Sequence, residues 1–182
     1  MTPELINNIN LVISGELMLS LMELNEMNHC HEMGLQGYKR FHRYWAMDRQ
    51  RHAIMLSNFV VEYHHIVPQI AVDYNSESSP TSPTLLDALT KMYNMSKTQL
   101  DTIKKCAKMA IDEGEDLLMG MLESMLKDES LECERYYREI LEISFVKSDP
   151  GFIACHSEKL HCKYKEKEKE YFGYKDPKYG GV

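Results

Sequence analysis

Five polar side chains stand where a helical sequence should be apolar: Glu16, Asp48, His52, Glu129 and Glu132. Tyr38, Phe41, Trp45, Asp48, His52, Met55 and Phe59 step by three or four, which puts all seven on one helical face. The other members of that stripe are large and apolar, so the face belongs to a core and Asp48 and His52 sit in its middle. Ile6, Ile9, Ile13, Glu16 and Ser20 trace a matching stripe earlier in the chain, and Leu118, Leu122, Met125, Glu129, Glu132, Tyr136 and Ile140 another later on. A fourth stripe, Leu89, Met92, Ser96 and Ile103, carries no acid. Burying a carboxylate without a partner costs several kcal/mol, and burying several together costs more. Either cations hold these acids, or they titrate to neutral, or basic side chains intrude. A hard cation such as iron, with oxygen ligands and one imidazole, answers the cost most simply. Arg49 and Arg51 are the second answer, since Arg49 neighbours the same face. Glu16 alone reads equally as a surface acid, and His52 alone as a satisfied core histidine. Jointly they favour a metal site in a bundle core.

The elements that must position these residues are four long helices, expected over residues 3–28, 35–63, 84–112 and 115–144. Pro3 sits where a first-turn proline is tolerated, and Gly114 marks a tight turn. Helices of some 27 residues are each about 40 Å long. Short links make two antiparallel hairpins. The intervening stretch, residues 64–83, contains Pro68, Pro80 and Pro83 and the polar run Asn75-Ser76-Glu77-Ser78-Ser79. It is long enough to run the length of the bundle, which makes helices two and three parallel. The fold class expected is all-α: a four-helix bundle with one long crossover between helices 2 and 3 and a short fifth helix near residues 152–160. Residues 1–162 form that domain, and residues 163–182, alternating Lys and Glu with tyrosines interspersed, form a solvated tail.

The composition narrows the function. The chain has 182 residues, 43% of them hydrophobic, and 28 acids against 21 bases give a net charge of −7. That balance disfavours a nucleic-acid binder acting through its overall field. No run of roughly 20 apolar residues suggests a membrane span. The cysteines (Cys30, Cys106, Cys133, Cys155 and Cys162) are odd in number and lack CxxC spacing, which fits reduced thiols in a cytoplasmic protein. The 13 methionines are most economically core filler.

On particular segments the chain resembles a ferritin, most nearly a bacterial-type non-haem ferritin. Ile9-Asn10-Leu11 with Glu16 resembles the opening of that family's first helix. Gly34-Leu35-Gln36-Gly37-Tyr38-Lys39-Arg40-Phe41 resembles the link to its second, and Asp48-Arg49-Gln50-Arg51-His52-Ala53 its acid-rich, histidine-ending motif. Residues 66–72 resemble the start of the crossover, and residues 151–160 the short helix that lines fourfold pores. The resemblance implies a homo-oligomeric shell of 24 subunits that stores ferric iron, with or without a second subunit type, and a di-iron centre that oxidises Fe(II). By position it places Glu16 and His52 on the first iron, and Asp48, Glu129 and Glu132 on an additional third-iron site.

The departures fall on the same centre. Arg49 stands where the family has a glutamate bridging both irons, so the motif reads Arg-x-x-His. Ser96 replaces the third-helix acid, and Ser130 and Cys133 the remaining second-iron positions. A permanent guanidinium charge would repel two nearby cations, and Arg49 is free instead to pair with Glu16 or Glu129. Three readings stay open: an iron-storing subunit with a degenerate oxidation centre, an active ferroxidase with a rearranged site, or a structural bundle without metal. Cys155-His156 and His161-Cys162 cannot converge on one zinc from a single helix. In a fourfold pore, such histidines could bind or gate metal between subunits.

Overall fold

Thr2 starts the first helix: its hydroxyl accepts from Leu5 N, with Pro3 in the first turn. Thr84 does the same for the third helix, accepting from Asp87 N. Gly34 (φ +75°) and Gly114 (φ +70°) take the left-handed backbone of the two tight turns. In the computed structural model, residues 1–73 and 82–172 are described, and they form five helices with no strand among them. These are α1 (Pro3–Glu32), α2 (Gln36–His64), α3 (Leu85–Asp112), α4 (Asp116–Phe145) and α5 (Pro150–Phe172).

Cross-links set the directions. Thr2 N donates to Glu113 Oε2 (2.7 Å) at one end of the bundle, and Lys91 Nζ lies 3.2 Å from Glu26 Oε1 at the other, so α1 and α3 are antiparallel. Tyr38 donates to Glu139 (3.0 Å) and His64 faces Glu115 (3.5 Å), so α2 and α4 are antiparallel as well. With α1–α2 and α3–α4 as hairpins, α2 and α3 run the same way. The crossover turns back along α1, where Gln69 N donates to Asn10 Oδ1 and Ala71 N to Ser14 Oγ, both at 3.1 Å. The polar run of residues 75–79 lies outside the described residues. The four-helix bundle with one long crossover is therefore as expected.

The core falls into two apolar clusters. Leu5, Ile9, Ile13, Leu56, Ile103 and Leu122 belong to one, while Tyr38, Phe41, Trp45, Leu89, Tyr136 and Ile143 belong to the other. Between them in height lies a buried polar layer drawn from the middle of α1, α2, α3 and α4. Contrary to the sequence expectation, α1 is long and apolar enough by length and composition to cross a membrane. Half of that stretch is buried against the bundle, and its centre carries Glu16.

The fifth helix differs most from expectation. It has 23 residues and continues through the segment read as a solvated tail, up to Phe172. Ser157, Leu160, Tyr164 and Glu168, spaced three or four apart, are buried. Tyr164 packs edge-on to Phe41 (5.2 Å) and Tyr44 (5.5 Å), and Glu168 is paired with Arg40 (2.5 Å) and Arg43 (3.5 Å). α5 thus lies alongside α2, and a short polar residue and a glycine make the closest approach. Gly37 N donates to Ser157 Oγ (2.9 Å), and a Cβ at Gly37 would fall 1.7 Å from the Ser157 carbonyl oxygen. Residues 173–182 lie outside the described residues.

Candidate metal centre

The mid-bundle layer collects Glu16 from α1, Asp48, Arg49 and His52 from α2, Ser96 and Gln99 from α3, and Glu129 and Glu132 from α4. The five residues singled out by the stripes are each at most 4% exposed, as inward-facing positions require. They do not surround a single point. Glu16, His52 and Glu129 form an inner group whose ligand atoms all lie within 4.8 Å of one another. Asp48 and His52 form an outer group with Asp128 at the same spacing. Glu132 belongs to neither and is bonded to Arg49 and Ser96.

Arg49 is fully buried and organises the layer. Its Nη1 donates to Glu129 Oε1 (3.1 Å) and lies 3.5 Å from Glu16 Oε2. Its Nη2 donates to Glu132 Oε1 (2.5 Å) and Ser96 Oγ (2.8 Å), and Ser96 in turn donates to Glu132 (3.1 Å). Gln99 Nε2 donates to Glu16 Oε1 (2.8 Å) and to the Val12 carbonyl (3.0 Å), which fixes the Glu16 carboxylate. His52 Nδ1 is 3.6 Å from Glu16 and 3.9 Å from Glu129, whereas Nε2 is 3.2 Å from Asp128. Arg51 reaches across the outer group to Asp48 (2.8 Å) and Asp128 (3.1 Å).

Three buried carboxylates share one guanidinium, so their protonation differs. For Glu16, burial raises the pKa, but the neighbouring His52, Arg49 and Gln99 together outweigh it and hold the group below its ordinary value. Burial drives Glu129 well above the carboxylate range; Arg49 opposes it and the Glu16 charge adds to it. Glu132 is pushed up to about 7 by burial, with Arg49 opposing. His52 rises to about 10: burial lowers it, but the bond to Asp128 and the nearby Glu16 and Asp48 carboxylates win. Two buried atoms of the inner group, His52 Nδ1 and Glu129 Oε2, have no hydrogen-bond partner among the described residues. His52 Nδ1 and Glu129 Oε2, unsatisfied beside the Glu16 carboxylate, form a donor set that fits one divalent cation, which must displace the proton His52 holds near neutral pH.

A ferritin-like domain model matches residues 6–143, which span the layer and all four bundle helices. The chain belongs to the ferritin family. Solved ferritin-like structures share the fold at low identity. An open pore ferritin from the hyperthermophilic archaeon Archaeoglobus fulgidus superposes with a TM-score of 0.79 at 17% identity, covering 88% of this chain and 98% of that one. A humanized archaeal ferritin gives 0.78 at 16% identity over 88% of this chain and 97% of that one. A variant of PmFTN soaked in iron gives 0.77 at 13% identity over 86% of this chain and 98% of that one. No curated protein sequence matches the chain.

In this ferritin chain the stripes missed two contributors. Gln99 lies on the α3 stripe between Ser96 and Ile103 and was legible by spacing. Asp128 precedes Glu129 outside the apolar stripe, and nothing in the periodicity marks it. A second buried network lies in the aromatic cluster: His42 Nδ1 is 2.6 Å from Glu23 Oε2, and the Tyr136 hydroxyl donates to the other oxygen of Glu23. His156 lies against two acids of its own chain, Glu139 (2.9 Å) and Glu142 (3.2 Å).

Proposed function

We propose that this chain is an iron-binding, iron-storing subunit of a cytoplasmic ferritin cage, in which the interior centre takes one cation and Arg49 stands where a second would lie. The carrying observation is the pairing of Arg49 with Glu16, Glu129 and Glu132 beside two unsatisfied donors, His52 Nδ1 and Glu129 Oε2. Family membership and the shared fold support the storage reading, as does the iron-soaked relative.

Fe(II) is the cargo. Glu16, His52 and Glu129 would hold it, with Asp48 and Asp128 offering an outer position on the way in. Oxidation by two neighbouring irons needs a second ion close to the first. At about 4 Å and an effective dielectric near ~20, each pair of unit like charges costs about 4 kcal/mol, so the guanidinium opposes a divalent ion strongly. The degenerate centre therefore binds iron without efficient oxidation, which is weak or supplied by a companion subunit. A shell of 24 copies accommodates that division of labour.

Native mass measurement with metal analysis, followed by aerobic Fe(II) addition watched by absorbance, tests this. The expected outcome is a particle of several hundred kDa that retains iron and oxidises it near the protein-free rate. Catalysis far above that rate would make the chain a ferroxidase. A small metal-free monomer or dimer would leave only a structural role.

A further inference from the structure

Beside the outer acids the bundle opens to solvent. A cavity of about 180 Å³ lies where α2, α4 and the second half of α5 meet. Asp48 and Asp128 line it, and both belong to the outer group that shares His52 with the inner one. Trp45 and Leu131 give it an apolar side, and Lys167 and Glu170 of α5 complete it. Asp48 is 4% exposed, Lys167 is half-buried and Glu170 is exposed, so the cavity runs from solvent at α5 down to the acids. Two larger cavities lie at the α4–α5 corner and at the α3–α4 turn, and neither is lined by a residue of either group.

One ring joins this cavity to the inner group. His52 Nε2 is 3.2 Å from Asp128, and its Nδ1 is 3.6 Å from Glu16. A cation entering the cavity therefore meets Asp48 and Asp128 before it meets the inner carboxylates. Charge along this path is mixed. Asp48, Asp128 and Glu170 draw a cation in. Arg51, bonded to the first two, has a side chain 38% exposed and can turn out to solvent to free them. Lys167 opposes entry. Its Nζ lies 5.2 Å from the Tyr44 centroid and 5.6 Å from that of Tyr164, and among the described residues it pairs with no acid. A ring face attracts an ammonium group without neutralising it. Lys167 and Glu170 are fixed beside the cavity because Tyr164 and Glu168 seat this part of α5 on Phe41, Arg40 and Arg43.

We infer that this cavity is the entrance by which divalent cations reach the metal centre, and that Lys167 and Glu170 of α5 set the rate of passage. The inference rests on the iron-binding reading above and gives the second half of α5 a part in it. Charges at the rim of a binding site act mainly on association and on its salt dependence. A residue on the path lowers or raises the barrier in both directions, so entry and exit speed up or slow down together. A residue that acts on the bound ion moves them in opposite directions.

Trp45 is the chain's single tryptophan and lines the cavity, so a paramagnetic ion passing into the centre reports by quenching its fluorescence. Rapid mixing of the full chain with Co(II), without oxygen and at low ionic strength, gives the entry rate, and subsequent mixing with a chelator gives the exit rate. Lys167→Gln should speed both at least about threefold, Glu170→Gln should slow both by a similar factor, and added salt should shrink these differences. Leu131→Phe adds bulk inside the cavity and should slow both at any salt concentration. No quenching and no retained Co(II) in the parent overturns the metal centre and the entrance with it. Binding in the parent with rates unmoved in all three variants, or with entry and exit moving in opposite directions, overturns the entrance alone.

Discussion

Arg49 Nη1 donates to Glu129 Oε1 at 3.1 Å, while the second oxygen of the same carboxyl is buried with no partner among the described residues. One side chain is thus both half-neutralised and half-available, which defines what each substitution in the layer should do.

Replacing Arg49 by glutamate removes the fully buried cation and adds a fourth acid to Glu16, Glu129 and Glu132. Loss of one partner from a buried ion network costs roughly 3–5 kcal/mol, so the metal-free variant should melt far below the parent. Divalent metal should restore it, and Fe(II) oxidation should rise. Thermal melts with and without anaerobic Fe(II), and absorbance after aerobic addition, check both. No gain in oxidation with the shell intact would contradict the proposed role of the guanidinium.

Glu129 and Glu16 should respond differently to amide substitution. Burial raises the Glu129 pKa and so favours its neutral form, which the nearly isosteric Glu129→Gln mimics; this variant should cost less stability than Glu16→Gln while weakening metal binding at least tenfold. Glu16 is ionised and paired, so Glu16→Gln should cost about 1–3 kcal/mol as well as metal. Denaturant melts beside metal titrations separate the two effects; equal stability losses would sink the assignment.

His42 should make stability fall in alkali. Burial lowers its pKa, but the Glu23 charge and hydrogen bond raise it to about 10, above the ordinary 6.5. Below pH 6.5 the folded and unfolded chains both hold the proton, and the stabilisation is full. It declines above that and is lost as pH rises through about 10. Melting temperature measured from pH 6 to 10 should drop more steeply for the parent than for His42→Gln.

Gly37→Ala tests how firmly α5 is seated. The added methyl would meet backbone, the Ser157 carbonyl at 1.7 Å, which cannot rotate away. Overpacking of this kind costs typically about 1–3 kcal/mol. The loss should fall on α5, seen as faster proteolysis there while the four-helix bundle keeps its helical signal.

Much of this was legible before any coordinates. The four apolar stripes located α1–α4 to within a few residues, because long amphipathic helices broadcast their period. All five polar interruptions are buried as the stripes required. Three things were not legible. Asp128 flanks the stripe instead of lying on it, and joins His52 only through the α2–α4 crossing. Glu132 is drawn to Arg49 and Ser96, a choice set by where a long guanidinium can reach. The second half of α5 hid its buried face behind Lys and Glu, because its core contacts are a tyrosine and an ion-paired glutamate.

A chelator can strip an ion from a protein core, but it cannot remove a side chain. Because Arg49 is covalently part of the bundle, the empty subunit keeps most of its internal charge matched through every cycle of loading and release. Its scaffold should therefore ride out iron starvation without loosening, so that supply governs how full the store is and leaves the container itself untouched.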